Sequence, residues 1–158
     1  MVVLPKWMEG SHVIEDVKAR ARRTWEEIFP ACDVDALADV VDPDIVGHGA
    51  RPGEPAGFEG VKQTMLWLGR VFSDQRWEIR HVIGDGDMVA VHCTHHGRHT
   101  GELMGVPPTD REVAYDYVHI VRFRNGRAVE HWGVRDDMTL MRQLGVMPER
   151  SAPVAAIR

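Results

Sequence analysis

The feature that most restricts the fold is a change of hydrophobic period near Arg76. Before it, apolar residues recur every three to four positions; after it, as far as about Asp136, they alternate. Helices gathered first and strands gathered second predict an α+β chain whose curved antiparallel sheet packs its inner face against the helices. A chain of 158 residues buries roughly 69% of its unfolded surface on folding, enough for one domain with a real core. The pattern places that domain at residues 11–145, after a flexible N-terminus at 1–10 and before a small-residue, mobile tail at 146–158.

In the first half, Ser11 precedes Val13, Ile14, Val17, Ala21, Thr24, Trp25 and Ile28 at helical spacing, and Pro30 is expected to end the run. Asp33 reads as the N-cap of a shorter helix over VDALADVV. DIVGHG is extended, ARPGEPAGFEG is a loop, and Val61 to Phe72 keeps a helical period again. The second half reads as four antiparallel strands: RWEIRHVIG, GDMVAVHCTHHGRHTG, REVAYDYVHIVRF and RAVEHWGVRD. Asn125-Gly126 between the last two is a type I′ hairpin signal, because both residues tolerate positive φ. A last helix runs from about Asp137 to Leu144 and is capped by Gly145.

Alternation sorts the strand residues into two faces. Val113, Tyr115, Tyr117, His119, Val121 and Phe123 share one, expected to point inward. In the next strand Ala128, Glu130, Trp132, Val134 and Asp136 share a face, opposite Arg127, Val129, His131, Gly133 and Arg135. The open side of the sheet, carrying Arg122, Arg124, His131 and Arg135, is expected to meet a second subunit in a homodimer or homotetramer.

Charge and composition exclude several classes. The net charge of −5, with no basic stripe, argues against nucleic acid or a lipid surface as a partner. The absence of any 18-residue apolar window argues against a membrane span. An N-terminus without an apolar core or a small-residue cleavage site argues against export. Cys32 and Cys93 alone make no disulfide framework and fit a reducing cytoplasm. His92, His95, His96 and His99 suggest a metal at first sight, yet strand alternation puts His92 and His96 on one face and His95 and His99 on the other, so no metal site is expected. GDGDM is a turn before a strand, which gives no phosphate loop and no nucleotide cofactor.

What remains is acid/base chemistry. His119 in mid-strand and Asp136 at the end of the neighbouring strand place titratable groups in or beside an apolar pocket. The alternative is that His119 is a hydrogen-bonded core histidine and that Asp136 caps the last helix, since DDMTL is a good helix start. A water-mediated route such as epoxide opening would need a second buried acid, for which Glu130 is the same-face candidate.

The segments DIVGHG, GFEGVKQ, HTGELMGVPPTDREV and VHIVRFRNGRAVEHWGVRDDMTLMRQLG occur in an order that resembles the SnoaL-like polyketide cyclase family over about residues 20–145. The resemblance implies the cone-shaped α+β barrel shared with nuclear-transport-factor-like and ketosteroid-isomerase-like proteins, with a deep apolar cavity. It implies intramolecular aldol ring closure on a small hydrophobic polyketide-like substrate of secondary metabolism, with no cofactor. It implies Asp136 as the acid/base, four residues after Trp132, with His119 and His48 as companions that stabilise an enolate oxygen. Tyr117, Tyr115, Trp132, Trp67, Phe72, Met104 and His92 are the expected substrate contacts. The same fold also hosts isomerases, epoxide-opening enzymes and non-catalytic binding or accessory proteins, so fold alone does not select the reaction.

Overall fold

The structure, a computed structural model, describes residues 6–49 and 53–148, with side chains from Ile14 onward. The expected mobile tail lies almost wholly outside the described residues, as do residues 1–5 of the expected flexible N-terminus. Helix α1 begins at Lys6, ahead of Ser11, and runs to Arg23. It widens into a π turn at Thr24–Ile28 and continues as α2, Phe29–Ala31. Pro30 therefore does not end the helix where the sequence suggested. A proline ring clashes with the carbonyl four residues back in a regular helix, and the π turn, in which Phe29 N–H bonds the carbonyl of Thr24, widens the backbone just ahead of it. The run stops at Cys32, in the left-handed region at φ +52°.

Asp33 caps α3, Val34–Val40, as expected, accepting from Ala36 N–H at 2.9 Å. Strand β1 is Val41–Gly47, and helix α4 is Gly57–Val71. The chain passes without a loop from α4 into β2, Phe72–Asp85, so Phe72 opens a strand rather than closing a helix. Then follow β3, Met88–His99; β4, Glu112–Arg124; β5, Arg127–Arg135; and α5, Asp137–Gln143. Gly145, at φ +78°, ends α5 with its N–H on the carbonyl of Arg142, as the sequence indicated.

The sheet has five strands in the order β1-β5-β4-β3-β2. Four pair antiparallel in sequence order, and β1 adds a parallel edge beside β5, which alternation did not reveal. The reason is Pro43: it donates nothing to a ladder, and the strand around it is buried only at Val41 and Ile45 among its outer positions. Asn125 and Gly126 turn between β4 and β5 with φ of +50° and +75°, the predicted hairpin.

One irregularity decides the site. Phe123 pairs with Ala128, but Arg122 pairs with Glu130, so Val129 is an extra residue in β5. Side chains alternate with a period of two, and one inserted residue therefore exchanges the two faces from that point onward. Ala128 points inward as alternation predicts; beyond the bulge His131, Gly133 and Arg135 point inward, and Glu130, Trp132 and Val134 outward. The sequence-based assignment of the faces of β5 is reversed there. In β4, which has no bulge before that position, Val113, Tyr115, His119, Val121 and Phe123 are buried as expected.

Helical and sheet faces meet in a core in which Leu37, Met65, Val89, Val91, Leu103 and Leu140 have no exposed surface. Each such aliphatic side chain contributes about 2 kcal/mol by leaving water. Val17, Ala21, Trp25 and Ile28 carry one face of α1 and the π turn onto the same core.

Candidate active site

A cavity of about 1340 Å³ opens between the π turn, α4, β1 and the inner faces of β4 and β5. Of the expected substrate contacts, Tyr117, Trp67 and Met104 line it, and so does His119. The others do not, each for a definite reason.

Phe72 and Tyr115 belong to the core, 1% and 2% exposed. Both pack on His95, Phe72 edge-on at 5.3 Å between centroids and Tyr115 through a 2.6 Å hydrogen bond from its hydroxyl region to Nδ1. Gln75 Oε1 stands 3.0 Å from His95 Nε2, so this imidazole is saturated in place. His92 faces the other side of the sheet, as its alternation with His95 requires, 3.1 Å from the Nδ1 of His81 and 3.5 Å from an Asp116 carboxylate oxygen. The bulge puts Trp132 outside as well, stacked on His48 at 4.3 Å. His48 Nε2 lies 3.0 Å from Glu130 Oε2, and Glu130 also meets Arg122 at 3.0 Å. His48 is therefore an outer-face residue, and Glu130, the acid an epoxide-opening route would use, is held there by His48 and the Arg122 guanidinium.

Asp136, the expected acid/base, stands outside the cavity. Its side chain is exposed and caps α5, accepting from Thr139 N–H at 3.0 Å and from the Thr139 hydroxyl at 2.7 Å. The hydroxyl first and the backbone N–H second hold its carboxyl below the usual range, so it stays ionised as a cap. It does not line the cavity; its neighbour Asp137 does, in an ion pair with Arg135.

The groups that do converge on the cavity come from β4 and the bulged strand. His119, 2% exposed, lies flat between the indole of Trp25 at 3.5 Å and the phenol ring of Tyr117 at 4.0 Å. Its Nδ1 is 3.0 Å from Nε2 of His131. Burial pushes both imidazoles down in pKa, His131 to about 4 with His48 adding to the effect, and His119 well below the ordinary value with His131 and His95 adding. Both are thus neutral at pH 7, and one donates to the other. When His119 donates through Nδ1, its Nε2 carries a free lone pair, the form a general base requires.

Gly133 makes this arrangement possible. A Cβ there would stand 2.9 Å from the Cε1 and hydroxyl oxygen of Tyr117 and 3.2 Å from Cε1 of His131. Only glycine lets the phenol lie across β5 beside the imidazole pair. Arg135 follows on the same face, bringing a guanidinium and its partner Asp137 to the cavity wall.

Sequence reasoning missed His131, Gly133, Arg135 and Asp137 through the one-residue bulge, and Trp25 and Trp77 because aromatic residues at helix or strand spacing read as plain core. The available signal was Glu130, an acid that unbroken alternation would have buried beside Trp132. Among the described residues, no three His, Cys, Asp or Glu side chains are grouped to hold a metal ion, and no helix is long and apolar enough to cross a membrane.

Comparison with known proteins adds a lineage to this geometry. The family model described as SnoaL-like polyketide cyclase matches residues 19–144. The nogalonic acid methyl ester cyclase of Streptomyces nogalater is 33% identical over 108 residues, covering 68% of this chain and 78% of that protein. The aklanonic acid methyl ester cyclase DnrD of Streptomyces peucetius is 28% identical over 127 residues, covering 78% and 87%. The crystal structure of wild-type IdmH from Streptomyces antibioticus superposes with a TM-score of 0.72 at 32% identity, over 82% of this chain and 98% of that one. A SnoaL-like protein from Jannaschia sp. CCS1 shares the fold at TM-score 0.75 and 21% identity, over 86% and 96%. With its α+β architecture, its cavity and a match that spans most of its length, the chain belongs to the SnoaL-like polyketide cyclase family.

Proposed function

We propose that the protein closes a ring in a polyketide-like carbonyl compound by intramolecular aldol addition, with the His119–His131 pair as the acid/base. The observation that carries this reading is the pair of neutral, hydrogen-bonded imidazoles on an aromatic cavity wall. His119 Nε2 takes a proton from a carbon between two carbonyls, and the C–H electron pair becomes an enolate. The enolate carbon then bonds to a second carbonyl carbon of the same molecule, and the resulting alkoxide takes the proton back from the imidazolium. The product is an isomer of the substrate, and no electrons enter or leave. A positioned base contributes 10² to 10⁴-fold to such a step, and holding both carbonyls in one cavity supplies the proximity. The buried imidazolium that forms is a poor cation by itself; the adjacent enolate is what stabilises it.

The family's description as polyketide cyclases supports the substrate class, and two relatives are named as methyl ester cyclases of nogalonic and aklanonic acid. Arg135, on the cavity wall, is suited to offset charge on a carbonyl oxygen as it becomes anionic. The reaction fits a cytoplasmic enzyme with free thiols, of which Cys93, buried, is raised by desolvation to about 12 and is no nucleophile. A homodimer formed through the outer sheet face would cover Val134 and Ile120, 72% and 36% exposed, together with Trp132; sedimentation at micromolar concentration reads its mass directly.

The test is conversion of an aromatic compound bearing a 1,3-dicarbonyl side chain, followed by mass spectrometry for an isomeric product and for deuterium uptake at the acidic carbon. The wild type should catalyse both, and His119→Asn should lose both by two orders of magnitude or more. Tight retention of the unchanged compound by the wild type, without exchange, would make the protein a binding or accessory module instead.

A further inference from the structure

Trp25, Trp77 and His119 form one aromatic cluster on the cavity wall, with centroid separations of 3.5 Å between Trp25 and His119, 5.2 Å between the two indoles, and 5.5 Å between Trp77 and His119. Each carries a buried polar atom without a hydrogen-bond partner among the described residues: Nε1 of Trp25, Nε1 of Trp77 and Nε2 of His119. Trp25 and Trp77 are 6% and 3% exposed, so bulk water does not serve those atoms. An unmatched buried donor is costly, and native structures rarely leave several in one place without a reason.

We infer that the indole N–H groups of Trp25 and Trp77 form a binding site for one oxygen of the substrate, beside the Nε2 that takes its proton. This rests on the reading above and deepens it. An indole nitrogen donates and never accepts, so two such orphans specify an acceptor and exclude a cation. The walls around them are aromatic rings, so the acceptor belongs to a flat apolar molecule: a ring ketone, quinone or phenolic oxygen rather than a carboxylate, which Arg135 suits better. In the proposed reaction this oxygen is the carbonyl that becomes the enolate. Charge then grows on it in a site where fixed donors in apolar surroundings act more strongly than in water.

Both indoles are held for the task. Trp77 stacks on His95 at 4.1 Å and 18°, and His95 is itself locked between Tyr115 and Gln75. Trp25 packs on Phe29 at 4.4 Å and sits within the π turn, the part of the first helix whose backbone departs from regular geometry. On β4, the Trp25 indole stacks on His119, which fixes the ring from its other side.

The experiment uses the whole chain and two small probes of nearly the same shape, 1-indanone, which has a carbonyl oxygen, and indane, which has none. Proton–nitrogen correlation spectra resolve the indole N–H signals of the five tryptophans, assigned with Trp25→Phe and Trp77→Phe. The site predicts that 1-indanone moves the Trp25 and Trp77 signals downfield in a saturable way and that indane does not. Each Trp→Phe change should weaken 1-indanone about fivefold, the worth of one hydrogen bond, and leave indane within about twofold. Equal shifts with both probes, equal losses of both, or indole signals that stay put while 1-indanone binds would each overturn the inference. Because the readout is binding, a lack of turnover would count against the cyclisation step and not against the oxygen site.

Discussion

Acid should unfold this protein early, through imidazoles that folding keeps neutral. His95 and His131 have folded pKa values of about 3 and about 4, and His119 lies well below the ordinary 6.5; burial is the first cause in each case. A folded pKa below the unfolded one means that the unfolded chain binds more protons, so stability is present above about pH 6.5 and falls as pH drops toward 4. At pH 5.5 an ordinary imidazole is roughly 90% protonated in the unfolded chain, while these three remain neutral in the fold. Each then costs between about 1 and 2 kcal/mol relative to pH 7.5, and the three together roughly 4 kcal/mol, a large share of the 5–15 kcal/mol that domains of this kind possess. The depressed carboxyl of Asp136 loses its contribution only at still lower pH and leaves this window clear. Urea unfolding followed by tryptophan fluorescence at pH 7.5, 6.5 and 5.5 measures the loss, and His131→Asn should reduce it by between about 1 and 2 kcal/mol. A stability that stayed flat or rose between pH 7.5 and 5.5 would refute the assignment of three neutral buried imidazoles.

Three more outcomes follow from the geometry. Asp136→Ala removes the cap of α5 and should cost about 1 kcal/mol by thermal melting, with turnover unchanged. Gly133→Ala drives a methyl group into the Tyr117 ring and hydroxyl, 2.9 Å away; it should cost 1–3 kcal/mol as overpacking and lower turnover by tenfold or more, whereas turnover at wild-type level would show that Tyr117 and the imidazole pair do not depend on that gap. Leu140→Ala, at a site with no exposure, should destabilise by 2–5 kcal/mol in the same melts, and a loss under 1 kcal/mol would show that α5 is not anchored in the core.

The parts of the fold that rest on local chemistry were legible in the sequence. Asp33 and Gly145 marked helix ends, Asn125-Gly126 marked the hairpin, and unbroken alternation placed His119 inward on β4. The parts that depend on a single inserted residue or on tertiary pairing were not. Nothing in RAVEHWGVRD shows that Val129 is skipped by the ladder, yet that one residue moves His131 and Arg135 into the cavity and Trp132 out of it. Likewise DIVGHG reads as extended, but nothing in it shows that it lies parallel beside β5. For Asp136 the residues allowed both a pocket acid and a helix cap; with the strand reversed and Thr139 in reach, the cap prevails.

The central claim is that the imidazole on β4, and not the carboxylate that caps α5, carries the proton. Turnover of one 1,3-dicarbonyl polyketide by His119→Asn and by Asp136→Asn, measured side by side on folded protein, tests it directly. The account predicts a loss of 10² to 10⁴-fold for the first and activity within about twofold of wild type for the second, since the lost cap costs stability rather than chemistry. Near-normal turnover by His119→Asn together with loss in Asp136→Asn would contradict it.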